Sequence, residues 1–272
     1  MSGDAVRQVF PSGPATGLVG VLALLASLHS SVGLDVRGWT VGIGCGVALA
    51  VLLACGLVAA RRYVLLPADR VTLTRAVLVC GVAGLTADAG LTADAAPTAG
   101  SGSGRVLVTL CAVALVLDAV DGQVARRTGT VSPLGARFDM ETDAFLILVL
   151  SIHVARDLGW WVLGIGAARY LLLLVRVASR WMPWLRGQVP PRRWRKAVAA
   201  HQGIALTVAT AEVLPAAAAT VAVAAGLVLL LVSFGTEVAT LRRRARQKAV
   251  VVATPVAWPV GPLGEAEVRS LT

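Results

Sequence analysis

Four aspartates lie in one short stretch of an otherwise apolar chain, LDAVDGQVARRTGTVSPLGARFDMETDAF at residues 117–145. On a helix, residues three or four apart share a face, so Asp118 lies beside Asp121, and Asp139 beside Asp143. The connection TGTVSPLG is short enough to make the two helices antiparallel neighbours. We therefore expect all four carboxylates to converge on one point.

Clustered carboxylates repel one another at low dielectric unless positive charge offsets them, and divalent cations can supply that charge. Ligand sets made of oxygen alone favour hard ions such as Mg²⁺, Mn²⁺ or Ca²⁺. Zinc normally recruits His or Cys, and this stretch contains neither. Two metals bridged by carboxylates suit a displacement at phosphorus. The residue types thus favour metal-assisted chemistry on a phosphate.

The elements that must position these aspartates are predicted to be membrane helices. The chain has 272 residues, of which 57% are hydrophobic and 15% charged, and its mean hydropathy is +0.77. This composition excludes an ordinary soluble domain and indicates a polytopic membrane protein. Runs long enough to cross roughly 30 Å of hydrocarbon as helix occur at about 16–34, 39–60, 71–87, 105–125, 138–155, 159–179, 196–213 and 215–235.

Basic residues outnumber acidic ones by 25 to 15, and they cluster at the ends of the apolar runs. This distribution indicates membrane topology and contact with anionic headgroups, and it argues against a nucleic-acid partner. The main clusters lie at 61–75, 126–137, 180–196 and 242–248, which the positive-inside rule places together in the cytoplasm. We expect a multi-pass protein of the cell membrane, with both termini and the aspartate cluster on the cytoplasmic side.

The spacing Asp118-x2-Asp121-Gly122-x2-Ala125-Arg126-x8-Gly135-x3-Asp139-x3-Asp143 matches the signature of the CDP-alcohol phosphatidyltransferases without a gap or substitution. The chain resembles this family over roughly residues 65–241. The resemblance implies an all-α, polytopic transmembrane helical bundle with a six-helix catalytic core at 61–240. Two extra transmembrane helices at 1–60 precede the core, and a basic cytoplasmic tail at 241–272 follows it.

The resemblance also implies residue roles. Asp118, Asp121 and Asp139 look like ligands of two divalent cations, Mg²⁺ or Mn²⁺, and Asp143 completes the metal site and acts as general base on the acceptor hydroxyl. A second set looks like the pocket for the cytidine diphosphate group: Gly122, Ala125, Arg126 and Gly135. These types fit the role, since small residues leave room for a nucleotide and an arginine can hold a pyrophosphate oxygen.

Upstream, the family usually carries an Asn-x2-Thr-x2-Arg element. Here Thr72 and Arg75 are kept, but Asp69 stands where the family has Asn. We carry Thr72 and Arg75 over as contacts to the nucleotide or its phosphates.

The implied activity is a phosphotransferase reaction of phospholipid biosynthesis. It moves a phosphatidyl group from a CDP-alcohol, CDP-diacylglycerol being the expected donor, to a polar alcohol acceptor with release of CMP. Members of the family often form homodimers, so we expect one here. The alternative is a non-enzymatic membrane transporter or ion-binding scaffold that uses the same carboxylates. A transporter predicts carboxylates spread through the membrane thickness, whereas these cluster at one end.

Three arginines at intervals of seven and four share one face of the sixth run, namely Arg169, Arg176 and Arg180. One interpretation is a cationic stripe that binds a phosphorylated acceptor such as glycerol-3-phosphate or inositol phosphate. The other is a structural pairing of Arg169 with a carboxylate or with exposed carbonyls, while the other two reach toward the membrane surface. The sequence leaves both open.

Overall fold

Nearly all of the described residues lie in helices. A computed structural model describes residues 12–61, 65–89, 101–128, 132–178 and 193–253. Within these ranges there is no strand, which confirms the predicted all-α fold. The helices are α1 Ser12–Val32, α2 Val36–Ala59, α3 Pro67–Ala89, α4 Gly102–Thr128, α5 Pro133–Leu158, a short 3-10 helix Trp160–Val162, α6 Leu163–Ala178, α7 Arg193–Thr210 and α8 Ala216–Ala253.

Each predicted apolar run coincides with one of these helices. Five of them, α1 to α4 and α8, are long and apolar enough to cross a membrane, while α6 and α7 are apolar but shorter. Helix α5 is long, but its first half carries the charged side chains of ARFDMETD. The protein is therefore a multi-pass membrane protein. That all eight helices cross the bilayer stays a prediction.

Helix α3 is the centre of the bundle. In its apolar window 61% of the residues are buried, against 22–28% in the other four long apolar helices. It packs against α1, α2, α4 and α5, and α5 packs in turn against α6 and α7. Among the described residues, α4 and α5 both pack chiefly on α3. That they are antiparallel neighbours stays a prediction.

The first two helices form a hairpin on α3. Gly33 makes the turn with φ +73°, a conformation that favours glycine. Asp35 then caps α2 by accepting a hydrogen bond from the Val36 amide at 2.8 Å. Its own amide donates to the Asp88 carboxylate of α3 at 3.1 Å. Gly38 and Gly84 let the backbones of α2 and α3 approach closely, since a Cβ on Gly84 would lie 2.9 Å from the Gly38 carbonyl oxygen.

Helix α8 continues through the boundary that we expected at residue 240. It runs from Ala216 to Ala253, so the basic stretch at 242–248 is part of this helix, while the division into core and tail stays a prediction. The cause is local, because Ala, Leu, Arg, Gln and Lys favour helix and no Gly or Pro follows Gly235 until Pro255. The remainder of the predicted tail, from residue 254 onward, lies outside the described residues.

Candidate active site

Three of the four motif aspartates converge where α3, α4 and α5 meet. One carboxylate oxygen from each of Asp118, Asp139 and Asp143 lies within 4.8 Å of the other two. Asp139 and Asp143 are one turn apart on α5, and Asp118 reaches them from α4. The predicted convergence is confirmed for these three. The position of Asp121 lies on α4, but its side chain is outside the described residues.

The start of α5 is set by local sequence. Ser132 is the N-cap residue, and its hydroxyl accepts a hydrogen bond from the Gly135 amide at 2.9 Å. Pro133 follows at the first helical position, where its missing N–H costs nothing. These two residues fix where α5 begins. They therefore also fix the direction in which the side chains of Asp139 and Asp143 project from it.

Arg75 lies in the middle of the carboxylates. Its Nη1 is 2.9 Å from Asp118 Oδ1 and 2.5 Å from Asp139 Oδ1, and its Nη2 pairs with Asp143 Oδ1. The Arg75 side chain is 1% exposed, whereas those of the three aspartates are 44%, 36% and 37% exposed. The guanidinium therefore lies beneath the cluster, and the carboxylates form its solvent-facing side.

This arrangement fits a hard divalent cation. The three side chains offer only oxygen ligands, which Mg²⁺ and Mn²⁺ accept. The Arg75 guanidinium carries one positive charge and contacts all three of these carboxylates. Because the carboxylates are partly exposed, an ion can approach from the side opposite Arg75. Asp118, Asp139 and Asp143 would hold it.

Gly135 has a reason to lack a side chain that sequence reasoning missed. A Cβ at this position would overlap Asp69 Oδ1 and would lie 3.1 Å from Ser132 Oγ. Asp69 is 4% exposed, and its Oδ2 accepts a hydrogen bond from the Leu66 amide at 3.1 Å. Asp69, which stands where the family has Asn, thus packs from the first turn of α3 against the first turn of α5.

Arg169 is paired rather than free to bind an acceptor. Its Nη2 lies 2.5 Å from Glu141 Oε1, and the two side chains are 28% and 33% exposed. Of the two interpretations of Arg169, the structure shows the pairing with a carboxylate. Sequence reasoning missed Glu141, although the spacing offered a signal. It lies two residues from both Asp139 and Asp143, so it faces away from them and toward α6.

The other predicted site residues are placed as follows. Thr72 is buried on α3, where its hydroxyl donates to the Ala68 carbonyl at 3.3 Å. Gly122 is half-buried on α4. Their contacts to a nucleotide stay predictions. Ala125, Arg126 and Arg176 lie on described helices, but their side chains are outside the described residues. Arg180 lies outside the described residues altogether.

Residues 65–234 match the family model for CDP-alcohol phosphatidyltransferase, which is more than half of the chain and includes every motif residue. The chain belongs to the CDP-alcohol phosphatidyltransferase family. The matched range begins after α2, so it leaves out the N-terminal hairpin. Neither the curated proteins nor the solved structures yield a significant match.

Membership assigns the chemistry at a general level. CDP-alcohol phosphatidyltransferases are membrane enzymes that transfer a substituted phosphate group from a CDP-alcohol to an alcohol, and they generally use divalent cations. The cluster of Asp118, Asp139 and Asp143 lies inside the matched range and has the ligand chemistry for such ions.

Proposed function

We propose that this protein transfers a phosphatidyl group from CDP-diacylglycerol to a polar alcohol and releases CMP. The observation that carries the proposal is the cluster of three carboxylates from α4 and α5 within the family-matched range. In the reaction, the acceptor oxygen forms a bond to the phosphorus that carries the diacylglycerol. The bond from that phosphorus to the bridging oxygen breaks, and CMP leaves with that oxygen.

Asp143 is the proposed general base. Its carboxylate would take the proton of the acceptor hydroxyl as the new phosphorus–oxygen bond forms. Arg75 pairs with Asp143 Oδ1 and so holds this carboxylate in the cluster. Asp118 and Asp139 would hold Mg²⁺ or Mn²⁺ with it, and Asp121 belongs to the same proposed ligand set. Bound metal ions would supply positive charge to the two phosphates.

The nucleotide pocket is proposed at the ends of the same helices. Gly122, Ala125 and Arg126 follow Asp118 on α4, and Thr72 lies one turn before Arg75 on α3. Small residues on α4 leave room for the cytidine, and Arg126 would hold a diphosphate oxygen. In this proposal the nucleotide would lie next to the carboxylates.

For the acceptor, we propose a phosphorylated polyol such as glycerol-3-phosphate or inositol phosphate. The support is in the sequence, where Arg176 and Arg180 follow Arg169 at intervals of seven and four. Since Arg169 pairs with Glu141, the acceptor phosphate would depend mainly on the other two. A panel of acceptors tests this directly: glycerol-3-phosphate, inositol phosphate, inositol, serine and phosphatidylglycerol. Faster CMP release with inositol or serine than with either phosphorylated polyol would refute the acceptor class.

We further propose that the site and both termini face the cytoplasm of the cell. The support is in the sequence, where basic clusters at 61–75 and 126–137 lie next to the site residues and the positive-inside rule assigns such clusters to the cytoplasm. Fusion of a fluorescent protein that matures only in the cytoplasm to the C-terminus should give a fluorescent product. Alkaline phosphatase, which is active only outside the cytoplasm, should be inactive at the same position. The reverse pattern would overturn the orientation.

The role of Asp143 has a matched control on its own helix. Asp143→Asn should abolish nearly all CMP release, because general-base catalysis is typically worth about 10²–10⁴-fold. Asp157→Asn changes an exposed aspartate near the other end of α5 and should leave the rate unchanged. Full activity of the Asp143→Asn enzyme would show that another group takes the proton.

A further inference from the structure

Arg75 is the most buried charged side chain near the site, and it contacts all three clustered aspartates. It comes from α3, the central helix, whereas the carboxylates come from α4 and α5. Arg75 therefore joins carboxylates of α4 and α5 to the helix on which both pack. A rigid planar guanidinium with several donors can hold three carboxylate oxygens at once.

The position of Arg75 on the buried side separates it from the substrates. Its side chain is 1% exposed, while the carboxylates in front of it are 36–44% exposed. A diphosphate that arrived from solvent would meet the carboxylates before it met Arg75. The family resemblance implies a direct contact between Arg75 and a phosphate. For that contact the guanidinium would have to move away from the three aspartates.

We propose that Arg75 is a positioning residue for the metal ligands, a resident cation that assembles Asp118, Asp139 and Asp143 before a divalent cation binds and that weakens their affinity for it. This inference rests on the proposed function, in which those aspartates hold the metal. Like charges a few ångströms apart repel one another, so the three partly exposed carboxylates are stabilised by a counter-charge when no ion is bound. The same positive charge repels an incoming metal ion, so the site binds metal less tightly than three unpaired carboxylates would.

The test compares the unfolding temperature and Mn²⁺ affinity of the full-length protein in detergent, without any substrate. Three variants are needed: Arg75→Gln removes the charge, Arg75→Lys keeps it without the planar fork, and Arg70→Gln removes an exposed charge of the same helix as the control. Unfolding is followed after EDTA treatment and over a MnCl₂ titration, and bound Mn²⁺ is counted by electron paramagnetic resonance.

In EDTA, Arg75→Gln should unfold at a lower temperature than the wild type and the Arg70→Gln control. Its Mn²⁺ dissociation constant should fall by at least about tenfold, because a unit charge a few ångströms from the ion has been removed. Arg75→Lys should keep an affinity near that of the wild type. If Arg75→Gln cannot be purified without metal, adding Asp118→Asn to it should restore folding, since one uncompensated carboxylate is then removed.

Two results would overturn the inference. One is an Arg75→Gln protein with unchanged metal-free stability and unchanged Mn²⁺ affinity, together with a raised KM for the CDP-alcohol, which would make Arg75 a phosphate contact. The other is failure of Asp118→Asn to rescue a misfolded Arg75→Gln protein. If the wild type itself binds no Mn²⁺, the proposed metal site fails instead, so the two failures can be told apart.

Discussion

The substitution Gly135→Ala should destabilise the protein through Asp69. In the first turn of α5, a methyl group at residue 135 would overlap the Asp69 carboxylate and press on the Ser132 hydroxyl at 3.1 Å. Asp69 is buried, and moving it would break its hydrogen bond with the Leu66 amide. The contact between Gly135 and Asp69 is visible only in the structure.

The magnitude follows from two opposing effects. Loss of a hydrogen bond to a charged group costs about 1.5–3 kcal/mol. Replacing glycine by alanine in a helix returns at most about 1 kcal/mol. The net loss should therefore be about 0.5–2 kcal/mol in the free energy of unfolding, measured by denaturant or thermal unfolding of the purified protein.

A double-mutant cycle isolates the contact. Asp69→Ala removes the carboxylate, so Gly135→Ala should cost little in that background. If Gly135→Ala costs as much after Asp69→Ala as before it, the overlap is not the cause. Activity separates this role from the nucleotide pocket, because a nucleotide that needs Gly135 would show a raised donor KM even in the doubly substituted protein.

Two further predictions concern packing and charge. Gly84→Ala should destabilise the protein by about 1–3 kcal/mol, since its Cβ would lie 2.9 Å from the Gly38 carbonyl oxygen. Gly44→Ala, which has nothing within 4 Å of its Cβ, should be neutral or slightly stabilising, and equal losses from the two would contradict the close α2–α3 contact. Glu141→Gln and Arg169→Gln should each cost less than about 1 kcal/mol, because the pair is partly exposed. The doubly substituted protein should lose no more stability than either single variant, and its KM for the acceptor should be unchanged. A raised acceptor KM of the Arg169→Gln enzyme would show that Arg169 binds the acceptor.

Helix periodicity was enough to predict which aspartates meet. Asp139 and Asp143 share a face because they are four residues apart, and that holds for any helix. The end of the last helix was not predictable from hydropathy, since the apolar span ends at Thr240 while the helix continues through the basic stretch at 242–248 to Ala253. The membrane boundary and the helix end are different properties of α8.

The central role of Arg75 could not be predicted from its position in a motif. Spacing places it one turn after Thr72 on α3, but only packing shows that this face of α3 lies between α4 and α5. Likewise, Asp69 and Gly135 are far apart in sequence, and their contact depends on how the start of α3 meets the start of α5. Both are long-range contacts between helices, which local periodicity does not describe.

The central claim is tested most directly by the balance between CMP and lipid product. Membranes that contain the protein, CDP-diacylglycerol, Mn²⁺ and glycerol-3-phosphate or inositol phosphate should release one CMP for each phosphatidyl product formed, and EDTA should stop both. Absence of CMP release with every acceptor of the panel, from protein that still binds Mn²⁺, would contradict the account and favour an ion-binding scaffold.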